Sequence, residues 1–237
     1  MLQNIESRAH FFEINDLKLE YSMVSNVLLE LQLRLLEQCN RYSKSHLGSA
    51  FSTLPILIEI YEQANIKDRI VLSNGHAATS LYVTLERFRN VDSNSLFRSM
   101  GDHPKRDLIN GIHCSTGSLG MGITVAVGMA LADQSRKVYC VISDGECAEG
   151  SVWESLRFLQ KWQLENIKVY VNSNGWSAYD AVDSALLERN LKSVYPEIEI
   201  RHTSIFPFET EGLRAHYIKM NDELYEQVKE KLCAQNL

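Results

Sequence analysis

Two apolar runs constrain the fold of this chain more than any other feature. KVYCVI covers 137–142 and ends in Ser143-Asp144-Gly145, while IKVYVN covers 167–172 and ends in Ser173-Asn174-Gly175. Neither run alternates polar with apolar residues, as strands covered on both faces should not. Between them lies a helical stretch from about Gly150 to Trp162. Strand, helix and strand at this spacing predict a right-handed crossover between parallel neighbours, which sets the two carboxyl ends side by side. Ligands of open α/β sheets bind at that edge. Asp144 and Asn174, thirty residues apart, are therefore expected to converge on one point.

The rest of the chain reads consistently with an α/β fold, a mostly parallel sheet covered by helices on both faces. Leu17, Tyr21, Val24, Leu28, Leu31 and Leu35 recur at helical spacing and predict an amphipathic helix from Asp16 to about Cys39. A second helix is expected over Thr53–Ala64, then a strand at RIVLS and helices at HAATSLYVTLERF and GITVAVGMALADQ. The stretch from Ser93 to Ser118 is polar and punctuated. Toward the C-terminus ALLERNLKSV and NDELYEQVKEKL read as helices, and EIEIRHTSIF as a last strand. No repeat is present and no linker stands before about Asp180, so the expectation is one domain over 1–237 with its core at about 40–180.

Composition excludes several classes. A net charge of −6 without a run of like charges argues against a general nucleic-acid surface. Five cysteines (Cys39, Cys114, Cys140, Cys147 and Cys233) show no CxxC spacing and read as reduced thiols. With no apolar leader and no apolar stretch of membrane-spanning length, the expected location is the cytoplasm.

The chemistry of the expected convergence is that of a hard cation and a phosphate. A carboxylate, an amide oxygen and a backbone carbonyl form an oxygen-only site for Mg²⁺ or Ca²⁺, with phosphate oxygens completing it. Gly145 admits backbone close to a phosphate, and the free N–H groups of the following helix favour an anion. Taken singly, Asp144-Gly145 and Asn174-Gly175 are turn dipeptides. Their shared position after buried-type strands, one crossover apart, favours the site.

Beyond this pair, the chain resembles the transketolase branch of the thiamine diphosphate enzymes. SDG with Asn174 is similar to the family's GDG…N signature. SHLGSAFSTLPILIEIY, RIVLSNGHAATSLY, GDHPK and STGSLGMGITVAVGMALA resemble its GHxG, SNGH, HP and TGSLGQG segments, in the family's order. The resemblance implies that Asp144, Asn174 and the carbonyl of Trp176 hold the metal. It also implies that Gly145 and His76 meet the diphosphate, with Gly117, Ser118 and Leu119 lining the cofactor. His46 and His103 match histidines that face the substrate, and His216 one that touches diphosphate and substrate. Glu149 and Glu154 match acids at a subunit interface, Glu149 also near the cofactor. His10, His113 and His202 are read as structural, and Cys147 as packing. The chain departs from the pattern at Ser143, Asn172 and Ser173, and is shortened between Trp176 and His216.

The implied reaction is thiamine-diphosphate-dependent transfer of a two-carbon ketol or acyl unit from a ketose, sugar phosphate or 2-oxo acid to an aldehyde. In the family a second domain binds the aminopyrimidine, and this chain is expected to carry only the first. The resemblance thus implies a separate partner chain carrying the pyrimidine-binding domain, two copies of each, with the charged helical ending read as a natural terminus. Other readings are a carboligase or decarboxylase of a specialised pathway, a 2-oxo-acid dehydrogenase alpha-like subunit, and a catalytically silent paralogue. A nucleotide-binding Rossmann module would need a GxGxxG after a strand, and none is present.

Overall fold

The computed structural model describes residues 26–234. The chain runs through helix α1 (26–41), α2 (Leu47–Gln63), strand β1 (Arg69–Leu72), α3 (Ala78–Arg89), α4 (Ser93–Met100) and α5 (Met121–Ala132). It continues through β2 (Val138–Ser143), α6 (Gly150–Trp162), β3 (Ile167–Ser173), α7 (Ser184–Val194), β4 (Glu199–His202) and α8 (Asp222–Ala234). The strands form one sheet in the order β1-β2-β3-β4, and every pair is parallel. Val138 pairs with Ile167 and Ser143 with Asn172, so β2 and β3 end in step. Among the described residues no helix is long and apolar enough to cross a membrane. The part of the first expected helix that holds Leu17, Tyr21 and Val24 lies outside the described residues.

The missing alternation in the strands has a direct cause. All six residues of β2 are buried. Val138, Cys140 and Ile142 pack with α5 and α6 through Ile123, Ala126, Val152 and Leu156. Tyr139 and Val141 point the other way, into Leu57 and Ile60 of α2 and Leu81 and Leu85 of α3. A third cluster lays α1 and α8 over the far side of α2, joining Leu35, Leu54, Phe208 and Leu232. The sheet is sandwiched, so period-2 polarity has no solvent face to mark.

Two elements differ from expectation. Helix α2 begins at Leu47 rather than Thr53, and Pro55 sits in its interior instead of its first turn. His46 precedes it in the left-handed region (φ 61, ψ 31). Helix α4 occupies part of the stretch read as punctuated. Asp92 caps it by accepting from the Asn94 N–H at 3.0 Å, and Leu96 and Phe97 fix it in place. The Phe97 ring stacks on Tyr42 with centroids 4.9 Å apart. Eight residues carry too few turns for periodicity to show.

Candidate functional site

The carboxyl ends of β1, β2 and β3 meet as the crossover requires. Asp144 follows β2, and its Oδ2 accepts from the Gly175 N–H, beyond β3, at 2.7 Å. Its Oδ1 accepts from the Gly145 N–H at 2.9 Å. Asn174 turns back on itself, with Oδ1 accepting from the Trp176 N–H at 3.0 Å and Nδ2 donating to Ser52 Oγ at 3.0 Å. The two loops touch: a β-carbon on Gly145 would lie 3.0 Å from Ser177 Cα and 3.7 Å from the Trp176 carbonyl oxygen.

This donor set suits a hard cation. Asp144 is 3% exposed, and burial pushes its carboxyl up to about 6 against the pull of backbone N–H groups. No basic side chain among the described residues pairs with it. A buried carboxylate held only by backbone N–H groups lacks the compensating charge that burial demands. Among the described residues no three His, Cys, Asp or Glu side chains gather to hold a metal. A cation here would draw on Asp144, the Asn174 amide oxygen and the Trp176 carbonyl, an oxygen set that fits Mg²⁺ or Ca²⁺.

Three imidazoles line the other side. Ring centroids of His46 and His216 are 4.3 Å apart, those of His46 and His76 5.4 Å, and those of His76 and His216 5.6 Å. Burial, reinforced by the neighbouring imidazoles, pushes His46 down to about 4 and His76 down to about 3, and burial also lowers His216. All three are therefore neutral near pH 7. His103 lies against Gly117, whose backbone (φ 148) leaves no room for a side chain: a β-carbon would stand 2.8 Å from His103 Cδ2.

A cavity of about 200 Å³ joins these groups. His46, His76, His103, Gly117, Leu119, Gly145, Glu149, Asn174, Trp176 and His216 line it. Asp144 lies behind the wall, Ser118 is outside the lining, and Glu154 is on the exposed face of α6. A larger space of about 420 Å³ opens at the amino edge of β1 and holds none of the expected site residues. There His113 Nδ1 lies 3.1 Å from the Ile70 amide nitrogen and 3.2 Å from the Ile70 carbonyl oxygen, a structural tie.

The structure corrects one expectation. The helix after Gly145 does not begin at the cavity, because a 3₁₀ turn over Gly145–Ala148 intervenes and α6 starts only at Gly150. Gly145 and Ala148 line the cavity, whereas the first turn of α6 does not.

Several residues of the site carried no expectation. Asn172 is fully buried and donates to Ser52 and Thr53, at 2.9 and 3.0 Å, while Thr203 donates to it. The signal was present as a polar Ser52-Thr53 pair inside the apolar run of α2. Glu146 is also fully buried, and its Oε1 accepts from Ser73 Oγ at 2.5 Å and from the Gly120 N–H at 2.6 Å. Ser143, standing where the family has glycine, accepts from the Glu146 N–H at 3.2 Å.

Fold and site together define a parallel α/β domain with a buried carboxylate and a cluster of imidazoles at the carboxyl edge of its strands. The family described as "Transketolase, thiamine diphosphate binding domain" matches residues 30–195, and the chain belongs to it. A relative from Phocaeicola vulgatus, named as an apulose-4-phosphate transketolase subunit, is 31% identical over 162 residues, 60% of this chain and 57% of that protein. The 6-deoxy-6-sulfo-D-fructose transketolase subunit SqwG of a Clostridium species is 29% identical over 63% of this chain and 61% of its own length. The chain thus spans less than two thirds of the relatives it matches. Transketolase from Campylobacter jejuni superposes with a TM-score of 0.64 at 21% identity, covering 90% of this chain and 42% of that one, which shows the shared fold.

Proposed function

We propose that this chain is the diphosphate-gripping subunit of a thiamine-diphosphate-dependent, transketolase-type enzyme. The observation that carries the reading is the closure of Asp144 on Gly175 across β2 and β3, facing a cluster of neutral imidazoles. Asp144, Asn174 and the Trp176 carbonyl would hold Mg²⁺ or Ca²⁺. Gly145 and His76 would meet the diphosphate, and Gly117, Ser118 and Leu119 would line the cofactor. When bound, the cofactor supplies the carbanion chemistry that breaks and forms the carbon–carbon bond.

The chain's own groups do the rest. His46, His103 and His216 face the space left for substrate. Neutral imidazoles can accept a proton at one ring nitrogen and donate one at the other, which suits hydroxyl-bearing substrates near neutral pH. Ser45 Oγ lies 3.0 Å from His46 Nδ1 and orients that ring. The substrate class is a ketose or sugar phosphate donor and an aldehyde acceptor, a two-carbon unit passing between them. The names of the relatives, one for a sugar phosphate transketolase and one for a sulfo-sugar transketolase, support an anionic sugar.

The reading includes a separate partner chain with a pyrimidine-binding domain, two copies of each, and Glu149 and Glu154 near the contact. Support comes from the word subunit in both relatives' names and from α5. That helix begins at the cavity rim and shows solvent Met121, Val125 and Leu131, 52, 39 and 46% exposed. Apolar residues repeated along one helix face favour a covering partner. Five free thiols, four of them buried, favour a cytoplasmic location. Two-carbon transfer from a ketose phosphate to an aldehyde, assayed with and without a pyrimidine-binding chain, tests the reading. Transfer by the pair and not by either chain alone is expected. Cofactor binding without transfer would instead mark a silent paralogue.

A further inference from the structure

We propose that Glu146 is the positioning residue of the diphosphate site, one carboxylate that holds three cofactor loops in register. The proposal deepens the function proposed above and rests on it. Its basis is a hydrogen-bond set that joins the SNGH, TGSLG and SDG segments at a single buried group.

Helix α5 starts at Gly120, which has no side chain with which to cap it. The cap comes from two other loops. Glu146 Oε1 accepts from the Gly120 N–H at 2.6 Å, and Ser73 Oγ accepts from the Ile123 N–H at 3.1 Å. Ser73 in turn donates to the same Glu146 oxygen at 2.5 Å. Two of the N–H groups that a helix start leaves unpaired are thus satisfied from the ends of β1 and β2. A carboxylate at that end also meets the positive pole of the helix. The other Glu146 oxygen accepts from the Ser143 N–H at 3.4 Å, and its own N–H returns to Ser143 Oγ.

Each tie ends within three residues of the cavity lining, to which Ser143 itself belongs. Ser73 precedes Asn74-Gly75-His76, Gly120 follows Leu119, and Ser143 precedes Asp144. The loops are packed closely enough that none can drift alone. A β-carbon on Gly122 would lie 2.5 Å from Ser73 Oγ, and one on Gly75 would lie 2.8 Å from the Gly117 backbone nitrogen. Glu146 does not line the cavity, so it acts through His76, Leu119 and Asp144 and not on cofactor or substrate.

The test is amide hydrogen exchange on the full chain without cofactor, in wild type, Glu146→Gln and Ser73→Ala, followed by titration with thiamine diphosphate and Mg²⁺ in the presence of the pyrimidine-binding partner chain. Gln keeps the shape but turns an amide N–H toward groups that themselves donate, and Ser73→Ala removes the relay without touching the carboxylate. The expected result is faster exchange confined to Gly120, Ile123 and Ser143, with the amides of β2 before Ser143 and of β3 as slow as in wild type. Cofactor affinity should fall about tenfold or more in each variant, the scale of one lost buried hydrogen bond. The double variant should be no weaker than the weaker single one, as coupled members of one network behave. Unchanged exchange at Gly120 and Ile123 in both variants overturns the proposal, and so does unchanged affinity. Faster exchange in the variants, with a wild-type chain that binds no cofactor even when the partner chain is present, supports the loop tie and sinks the functional reading instead.

Discussion

The backbone N–H of His46 donates to the carbonyl of His216 at 3.0 Å, joining the start of α2 to a segment 170 residues later. Met220 N–H repeats the link to the Lys44 carbonyl at 2.8 Å. The His216 segment is held at its other end by Trp176, whose ring lies against Gly212. Gly212 has φ 51, and a β-carbon there would stand 3.1 Å from the indole. Trp176, proposed to offer its carbonyl to the metal, thus also packs through its ring on the arm that carries His216.

Gly212→Ala meets both a left-handed backbone and the indole, so it should cost about 1 kcal/mol or more of stability. It should also misplace His216 and lower turnover of the assembled enzyme about ten- to a hundredfold. Comparing turnover with the cofactor's dissociation constant checks this. Lost cofactor binding with normal turnover at saturation would place the effect elsewhere.

Stability of the cofactor-free chain should fall on acidification. His46, His76 and His113 are pushed down to about 4, 3 and 4 by burial, while an unfolded histidine titrates near its ordinary 6.5. The unfolded chain therefore binds protons first, and stability is lost as pH drops from about 6.5 toward 4. Asp144 has the opposite sign, since its carboxyl is raised to about 6 and holds a proton in the native state where the unfolded chain has lost it. Burial raises Glu146 in the same direction. With His216 lowered too, the imidazoles outweigh the carboxyls. Melting temperature should be lower at pH 5 than at pH 7, and an equal or higher value at pH 5 would contradict the assignment of neutral buried imidazoles.

Asn174→Ala removes an amide oxygen from the proposed cation site together with its link to Ser52. The Mg²⁺ dependence of cofactor binding should weaken at least about tenfold, with β2 and β3 intact by circular dichroism. A Mg²⁺ titration of the variant that overlays wild type would remove Asn174 from the site.

Leu156→Ala leaves a cavity under α6, where the side chain is fully buried against the sheet. Chemical denaturation should show about 2–5 kcal/mol lost. Because no cavity-lining residue belongs to that cluster, cofactor affinity at low temperature should be unchanged.

Much of this was legible in the sequence, for identifiable reasons. Buried runs of Val, Ile and Tyr ending in Asp-Gly or Asn-Gly gave β2, β3 and the meeting of Asp144 with the Asn174 loop. His46, His76 and His103 stand out because each sits in its own motif, and His216 because it precedes the last helix; all four line the cavity. Glu146 was passed over because a single Glu in a turn reads as solvated. Its burial depends on Ser73 and Gly120, 73 and 26 residues away, and no local pattern reports that. The 3₁₀ turn before α6 has no local signal either, since nothing in Gly145–Ala148 separates a tight turn from a plain loop. The outward Met121, Val125 and Leu131 look like core in sequence, and only the structure shows which face of α5 is uncovered.

The most direct measurement of the central claim is calorimetric titration of thiamine diphosphate with Mg²⁺ into the folded chain, alone and with a pyrimidine-binding partner chain. The account predicts binding that appears or tightens sharply when the partner is present and that disappears when Mg²⁺ is chelated. No heat of binding under either condition, from protein shown to be folded, would contradict it.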